Sequence, residues 1–305
     1  MSLYVGLDSG GTKTECWLGD ETRILARSST DTCKLTRVGQ EVATERMQSL
    51  LREVMGAARV RRGEVTRTCV GVAGFSIQEV REWAWMVVDR IVGGEVEVCG
   101  DDEIALDAAF HGGPGVLLIG GTGAVVMGRC GDGKRMTAGG WGPAVGDEGS
   151  GFWIGREAVR ESLRSLDRGG STKLLEAIRV AWGAADVGRL VAIANARPGP
   201  DFAALAPVVA YCELDGDEVA GRVLTQAGSE LAEQVEVVWK RMREAGVEQA
   251  DLRYTGSVVE KIAHVRRGLA KRIGERCEGL RMVNGAVNSM EGAMWRARGG
   301  GAASR

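Results

Sequence analysis

The feature that most constrains this chain is a pattern of strand, glycine turn and strand that occurs twice. Near the start, the apolar run 4–7 leads to Asp8, to the turn Gly10-Gly11-Thr12 and to a second strand-like run. About 110 residues later, the apolar run 115–119 leads to Gly120-Gly121-Thr122-Gly123 and again to a strand-like run. In each copy a further turn and a third strand follow. Because an internal repeat is stronger architectural evidence than any single motif, the pattern predicts two related halves, each with a glycine hairpin.

The first hairpin has the composition of a phosphate-binding turn. Gly10 and Gly11 let backbone N–H groups converge on an anion, because no Cβ blocks the approach. Asp8, beside that turn, is a natural holder of Mg²⁺, usually through water. The turn is interpreted as a nucleotide-phosphate hairpin, and an ordinary turn between two strands is the alternative. A Walker A loop is excluded, since Thr12 stands where that motif has lysine and a strand, not a helix, follows.

Composition and charge exclude several classes of protein. The chain has 305 residues, enough for two domains, and its hydrophobic fraction of 44% supplies a substantial core. Its formal charge of -2, with acidic and basic residues interspersed, predicts neither nucleic acid nor an anionic membrane as partner. No apolar run approaches the ~20 residues of a membrane span, and the start of the chain has no signal-peptide pattern. Seven scattered cysteines without a C-x-x-C pair indicate reduced thiols in a cytoplasmic protein.

The rest of the chain alternates strands and helices. Strands are predicted at 22–28, 68–73, 96–99, 252–255 and 281–283, and helices at 38–60, 77–92, 104–110, 152–166 and 287–298. A polar loop is predicted at 29–36, where it could reach a ligand. The segment of about 172–246 is nearly all helical and is interpreted as an insertion in the second half.

Two further stretches suit a ligand. The run 139–151 is unusually rich in glycine around Asp147 and Glu148, and so much glycine is costly in backbone entropy unless the backbone must approach a ligand closely. Gly256-Ser257 follows a predicted strand and opens a helix, a place suited to the adenosine or phosphate of a nucleotide. A simple helix cap is an equally good explanation of that second stretch.

Taken together, these residues resemble the BadF/BadG-type ATPase family and, within it, the N-acetylglucosamine kinases. The matches keep the family order over nearly the whole chain, and the most specific is the Trp-Gly…Gly-Asp-Glu-Gly-Ser run. They are Gly6–Thr14, Gly71–Gly74, the aspartates 101–102, Gly121–Gly123, Gly140–Ser150, Thr255–Ser257 and Glu291–Ala293.

The resemblance implies an α/β fold of two actin-like (ribonuclease H-like) domains with a cleft between them. The first would span 1–112, with the closing helix 287–298 packing back on it. The second would span 113–286 and contain the helical insertion. A homodimer is expected on the same ground.

The resemblance also implies site residues. ATP would be held by Gly10, Gly11, Thr12, Lys13, Thr14, Gly121, Thr122, Gly123, Gly256 and Ser257, with Asp8 near the Mg²⁺. The sugar would be contacted by Gly74, Trp141, Gly142, Asp147 and Glu148. The catalytic base would be the aspartate after the fourth strand of the first half, which an ungapped reading places at Asp101, with Asp102 as second choice.

The function implied is an ATP-dependent kinase for the 6-hydroxyl of an amino sugar, most simply N-acetylglucosamine. The alternatives are a kinase for glucosamine or another hexose, and an ATPase that acts on a partner protein. The sugar kinases carry an asparagine in the loop after the third strand, and loop 29–36 has none; Asp31, Cys33 and Lys34 are the candidates to replace it. The iron–sulfur activators of the family need a clamping cysteine, for which no cysteine here has a matching context.

Overall fold

The computed structural model describes residues 2–300, which form two compact units. Of the described residues, 2–114 and 287–300 belong to the first unit, and the second is the continuous segment Gly115–Ala286. Each unit contains one five-stranded sheet. No helix within 2–300 is both long enough and apolar enough to cross a membrane.

The described part of the first unit, residues 2–114 and 287–300, contains five strands and five helices. The strands are β1 (Tyr4–Ser9), β2 (Lys13–Gly19), β3 (Ile24–Asp31), β4 (Arg67–Val72) and β5 (Glu95–Gly100). The helices are α1 (Leu35–Val38), α2 (Gln40–Ala58), α3 (Gln78–Ile91), α4 (Asp101–Phe110) and α12 (Ser289–Ala297).

The second unit contains five strands and a larger set of helices. The strands are β6 (Gly115–Gly120), β7 (Ala124–Arg129), β8 (Arg135–Gly139), β9 (Ala250–Thr255) and β10 (Leu280–Ala286). The helices are α5 (Gly151–Asp167), α6 (Lys173–Ala181), α7 (Val187–Ala194), α8 (Ala206–Leu214), α9 (Glu218–Glu244), α10 (Ser257–Lys261) and α11 (Ala263–Arg276), with a 3₁₀ turn at Phe202–Leu205.

The two sheets have the same topology. Their orders are β3-β2-β1-β4-β5 and β8-β7-β6-β9-β10. In each, the first three strands are antiparallel and the last two run parallel to the first. The predicted repeat of strand, glycine turn and strand is therefore confirmed as a repeat of the whole sheet.

Two boundaries differ from the prediction and both lie near the candidate site. β3 continues to Asp31, because its ladder with β2 extends to the pair Lys13–Asp31. The predicted loop 29–36 is consequently shorter, and α1 begins within it at Leu35. α4 begins directly at Asp101, without the intervening residues that the sequence suggested.

Each unit has its own hydrophobic core. In the second, the long amphipathic helix α9 lies against β7 and β8, while α8 packs against α9 and α6 packs against α8. In the first, α12 packs against α4 and β1. The seven cysteines are buried and unpaired, as the sequence indicated.

Helix α12 is tied to the first unit by close packing and by charge. Arg296 donates to Glu97 (2.9 Å) and Glu103 (3.2 Å) and also to the buried carboxylate of Asp107. Gly292 lies so close to α4 that a methyl group there would overlap the carbonyl oxygen of Ile104. These contacts fix the start of α4, which carries Asp101.

Candidate functional site

The first unit collects several predicted site residues at one edge of its sheet. Strands β1, β4 and β5 are parallel, with Asp8 paired to Gly71 and Gly71 paired to Cys99. Their carboxyl ends therefore meet at the same edge, where Asp8 is the last residue but one of β1 and Asp101 follows β5, which is the fifth strand of this unit and not the fourth. Gly71 between them has no room for a side chain, because a methyl group there would lie 3.3 Å from the Asp101 Cα and would overlap Ile104.

Both of these carboxyl groups are electrostatically strained. Burial raises the pKa of Asp8 to about 7, and the charge of Asp101 adds to the rise, while Lys13 and a hydrogen bond from Ser289 oppose it. Burial likewise raises the pKa of Asp101 to about 6, and the neighbouring carboxylate of Asp102 adds to it. Groups of this kind are typical of functional sites, where partly desolvated acids are brought together.

The carboxyl groups of Asp101 and Asp102 have different neighbours. The Asp102 N–H donates to Asp101 Oδ1 (3.1 Å), and the Glu103 N–H donates to Asp102 Oδ1 (2.9 Å). The Asp102 carboxylate lies against the Cα of Gly100. The Asp101 carboxylate is the one whose charge raises the pKa of Asp8. Asp101 is therefore the member of this pair whose charge acts on Asp8.

The first glycine turn contains three residues, Gly10, Gly11 and Thr12, between β1 and β2. Gly11 has open space around its Cα, so its backbone is accessible to a ligand. Thr12 and Lys13 are exposed, and Lys13 forms an ion pair with Glu15 (2.7 Å). The turn therefore offers backbone and side-chain donors at its surface.

The hydroxyl of Thr14, by contrast, is used inside the protein. Its Oγ1 lies 3.3 Å from Ser9 Oγ and accepts the Cys33 N–H (3.1 Å), and the residue is completely buried. Thr32 donates its hydroxyl to the carbonyl of Gly10 (2.9 Å). The loop after β3 thus stabilises the turn through the hydrogen bond from Thr32 to Gly10. Thr14 contributes to the position of the turn through its contacts with Ser9 and Cys33.

The second unit has the corresponding three-residue turn at Gly121–Gly123. Thr122 is exposed, and Gly121 accepts the Gly151 N–H at the start of α5 (2.8 Å). Asp147 is buried in a left-handed conformation (φ 61°). Its carboxylate lies against Gly123, where an added methyl group would stand 2.9 Å from Oδ2. The predicted phosphate turn and the predicted sugar residue Asp147 are thus adjacent within this unit.

Gly256 brings a third segment to the same turn. Its φ of 102° favours glycine, and an added methyl group would lie 2.6 Å from the backbone of Gly120. The Gly256 N–H and the Thr255 hydroxyl both donate to Glu260 (2.9 and 3.0 Å). Ser257, which is exposed, begins α10. The structure therefore joins two predicted nucleotide motifs that are far apart in sequence.

The other residues predicted to contact sugar are more dispersed. Trp141 is 77% exposed, and its Cβ packs on Gly146. Gly142 has a φ of 88°, and the Glu148 carbonyl accepts the side-chain amide of Gln234 (2.9 Å). Gly74 lies in the first unit, just after β4. Within the second unit Trp141 thus contacts Gly146, the residue that precedes Asp147.

Two supporting residues were not identified from the sequence. Ser289, at the start of α12, hydrogen-bonds the Asp8 carboxylate, and no local pattern connects those two positions. Glu260 holds the Gly256 turn, and here the Ser257-x-x-Glu260 spacing, which resembles a capping box, was an available signal.

Comparison with known proteins places the chain among these ATPases. The BadF/BadG/BcrA/BcrD ATPase family matches residues 5–297. A curated relative from Clostridium acetobutylicum, an N-acetylmuramic acid/N-acetylglucosamine kinase, is 29% identical over 78% of this chain and 79% of its own. An N-acetyl-D-glucosamine kinase from Dictyostelium discoideum is 26% identical over 95% of this chain and 96% of its own.

The fold agrees with that placement. A crystal structure from Chromobacterium violaceum, provisionally named N-acetylglucosamine kinase, superposes with a TM-score of 0.76 at 25% identity and covers 96% of this chain and 98% of its own. The predicted actin-like α/β fold is confirmed by that match and by the duplicated sheet. The chain belongs to the BadF/BadG/BcrA/BcrD ATPase family.

Proposed function

We propose that this protein is an ATP-dependent kinase that phosphorylates the 6-hydroxyl of an amino sugar, with N-acetylglucosamine as the first candidate. The family is one of ATPases, and the curated relatives are named for N-acetylglucosamine and N-acetylmuramic acid. The observation that carries the proposal is the pair Asp8 and Asp101, two partly buried carboxyl groups with raised pKa beside the Gly10–Thr12 turn.

Asp101 is proposed as the catalytic base. An effective base has a pKa close to the working pH, and burial moves that of Asp101 to about 6. Its carboxylate would take the proton of the sugar hydroxyl as the hydroxyl oxygen attacks the γ-phosphorus. The bond from that phosphorus to the β-bridging oxygen breaks, and ADP leaves. Asp102 remains the second choice for this role.

The donor set of this edge fits Mg²⁺. Asp8 and Asp101 supply hard carboxylate oxygens, and Mg²⁺ is commonly bound by one or two carboxylates together with substrate phosphates. The unfavourable charge of two neighbouring carboxylates is what a divalent cation would relieve. We propose Asp8 as the residue that holds the ion, directly or through water. When bound, Mg²⁺ would neutralise charge on the phosphate oxygens.

ATP is proposed to be held by the glycine turns of both units. In the first, Gly10, Gly11, Thr12 and Lys13 would present donors to the phosphates, with Thr14 acting through Ser9 and Cys33. In the second, the corresponding residues would be Gly121, Thr122 and Gly123, with Gly256 and Ser257 toward the adenosine. Gly74, Trp141, Gly142, Asp147 and Glu148 are proposed to contact the sugar.

A panel of acceptors tests the proposal. ATP consumption is measured with N-acetylglucosamine, glucosamine, glucose, N-acetylmuramic acid or no sugar, and the product is located by phosphorus NMR. The proposal expects consumption that depends on an amino sugar and a 6-phosphate product. Equal consumption with no sugar would instead indicate an ATPase that acts on a partner protein.

We also propose a cytoplasmic homodimer, on the resemblance to the family. Light scattering coupled to gel filtration tests the second part, since a mass near 32.4 kDa in solution would show a monomer.

A further inference from the structure

Lys34 is a cation at the same sheet edge as the proposed base. β3 runs parallel to β1, because both are antiparallel to β2, so its carboxyl end lies at the edge that carries Asp8. Lys34 follows this end and caps the short helix α1. Its N–H donates to Thr32 Oγ1 (3.1 Å), and Thr32 in turn donates to Gly10. The backbone of Lys34 is therefore fixed to the phosphate turn.

The other cations near this loop are already engaged by protein groups. Their partners are the Glu15 carboxylate for Lys13 (2.7 Å), the Gly11 carbonyl for Arg37 (3.0 Å), and the Thr32 carbonyl (2.8 Å) and Asp31 carboxylate (3.6 Å) for Arg46. Among residues 2–300, the ammonium of Lys34 has no hydrogen-bond acceptor and no carboxylate within 4 Å, although the residue is partly buried. A partly buried cation without such a partner is available to an anionic ligand.

The neighbours of Lys34 are directed elsewhere. The side chain of Asp31 is 84% exposed and faces Arg46. The thiol of Cys33 is buried, with its Sγ 3.9 Å from the Asp31 carbonyl. Of the three residues that could offer a polar group from this loop, Lys34 is the one whose charge reaches Asp101, where it opposes the effect of burial on the carboxyl pKa.

We infer that Lys34 is a specificity-determining residue that binds an anionic substituent of the acceptor, which changes the first candidate substrate from N-acetylglucosamine to an amino sugar carrying a carboxylate. The inference rests on the proposed function, which places the reacting hydroxyl at Asp101. Lys34 follows β3 at the sheet edge that carries Asp8 and Asp101, where the acceptor would bind, and an acceptor carboxylate would supply the missing partner. A charge-assisted hydrogen bond of this kind changes binding by roughly 10- to 100-fold.

The test compares two acceptors that differ by the carboxylate. kcat/KM is measured for N-acetylmuramic acid and for N-acetylglucosamine with the wild type, Lys34→Met and Lys34→Arg. Lys240→Met is the matched control, since it removes an exposed lysine on α9. Assays are run at pH 8, above the pKa of about 6 for Asp101, so that removing a nearby positive charge does not protonate the base.

The inference expects the wild type to prefer N-acetylmuramic acid. Lys34→Met should lower kcat/KM for that sugar roughly 10- to 100-fold while changing that for N-acetylglucosamine less than about 3-fold. Lys34→Arg, which keeps the charge, should restore much of the preference, and Lys240→Met should leave both values unchanged. A merely structural role for Lys34 would lower both sugars together.

Three results would overturn the inference. The first is a wild type that prefers the neutral sugar. The second is a Lys34→Met variant whose ratio of kcat/KM between the two sugars equals that of the wild type, and the third is a Lys34→Met variant with a raised KM for ATP and no change in that ratio. The last would assign Lys34 to the phosphates. In all three the enzyme still phosphorylates a sugar, so the proposed function stands; no phosphorylation of any sugar would remove both.

Discussion

Asp101 combines a cost in stability with its proposed role as the catalytic base. Its carboxyl group lies partly buried next to Asp102 and beside Asp8, and both burial and the neighbouring charge disfavour its ionised form. An enzyme can retain such a residue because a base with a raised pKa is effective near neutral pH. The same residue should therefore limit stability and permit turnover.

The stability effect has a definite sign. The pKa of Asp101 is about 6 in the folded protein against an ordinary value of 3.8, so ionisation favours the unfolded state as pH rises between those values. Asp101→Asn should stabilise the protein at pH 8 by up to about 3 kcal/mol and have little effect at pH 4. Urea unfolding of both proteins at the two pH values measures this. A variant that is less stable than the wild type at pH 8 would contradict the explanation.

The catalytic effect depends on pH in the opposite sense. Below a pH of about 6, Asp101 is protonated and cannot accept the hydroxyl proton. We expect kcat/KM for the sugar to fall about tenfold per pH unit on the acid side of that value. A pH–rate profile at saturating ATP and Mg²⁺ gives the apparent pKa, and a flat profile between pH 4.5 and 7 would exclude this carboxyl as the base.

At the scale of single residues, the sequence predicted the positions of side chains that lie at a strand end or in a glycine turn. Asp8 lies near the end of β1 and Asp101 directly follows β5, so parallel pairing brings them to one edge. Ser289 contacts Asp8 from a helix at the far end of the chain, and only the packing of α12 brings it there. Thr14 was predicted to hold phosphate, and the structure places its side chain in the interior. That burial comes from the pairing of β2 with β1 and from the loop after β3, and neither is visible in the local sequence.

At the scale of elements, the packing of α12 against α4 holds in place the helix that begins at Asp101. Gly292 permits that contact, because a side chain there would meet backbone atoms that cannot move aside. Arg296 adds charge pairing to Glu97 and Glu103 on the same side. The resemblance predicted that this helix packs back on the first half, but not which residue permits the approach.

Replacing Gly292 tests this contact. In Gly292→Ala the added methyl group would overlap the Ile104 carbonyl oxygen and lie 2.6 Å from the Ala108 nitrogen. We expect a loss of about 2–4 kcal/mol in the free energy of unfolding, as for other overpacked sites. The matched control is Gly56→Ala in α2, which has no atom within 4 Å of the new methyl group and should gain about 0.5–1 kcal/mol. Equal stability of the two variants would argue against a tight crossing.

The ends of strands and helices were predicted well where glycine residues mark them and less well elsewhere. β7 (Ala124–Arg129) is the strand-like run expected after the second glycine turn, and glycines lie close to both of its ends. β3 is longer than predicted, because its polar end, Ser28–Asp31, is held by pairing with β2 and not by its own apolar pattern. Such tertiary support is invisible to local periodicity.

For the whole molecule, the path of the chain makes folding of the first unit depend on its last helix, whereas the second unit is one continuous segment. The second unit is continuous, with its own core, whereas the first needs α12 from the end of the chain. The apolar residues that α12 buries in the first unit include Met290, Ala293 and Met294.

Truncation separates these dependencies. A chain that stops after residue 286 should keep slow hydrogen exchange in β6, β7 and α9 while the amides of β1 and β4 become unprotected. The reason is that removing α12 exposes the surface of β1 and α4 that it covers. Hydrogen exchange read by mass spectrometry reports both units in one experiment. Full protection of β1 in the truncated chain would show that the first unit does not need α12.

The measurement that tests the central proposal most directly is steady-state turnover of ATP with N-acetylglucosamine by the wild type, Asp101→Asn and Asp102→Asn. We predict turnover that requires the sugar, a loss of ~10²–10⁴-fold for Asp101→Asn with little change in KM for ATP, and a far smaller loss for Asp102→Asn. Undiminished turnover by Asp101→Asn, or ATP consumption by the wild type that ignores the sugar, would contradict the proposal.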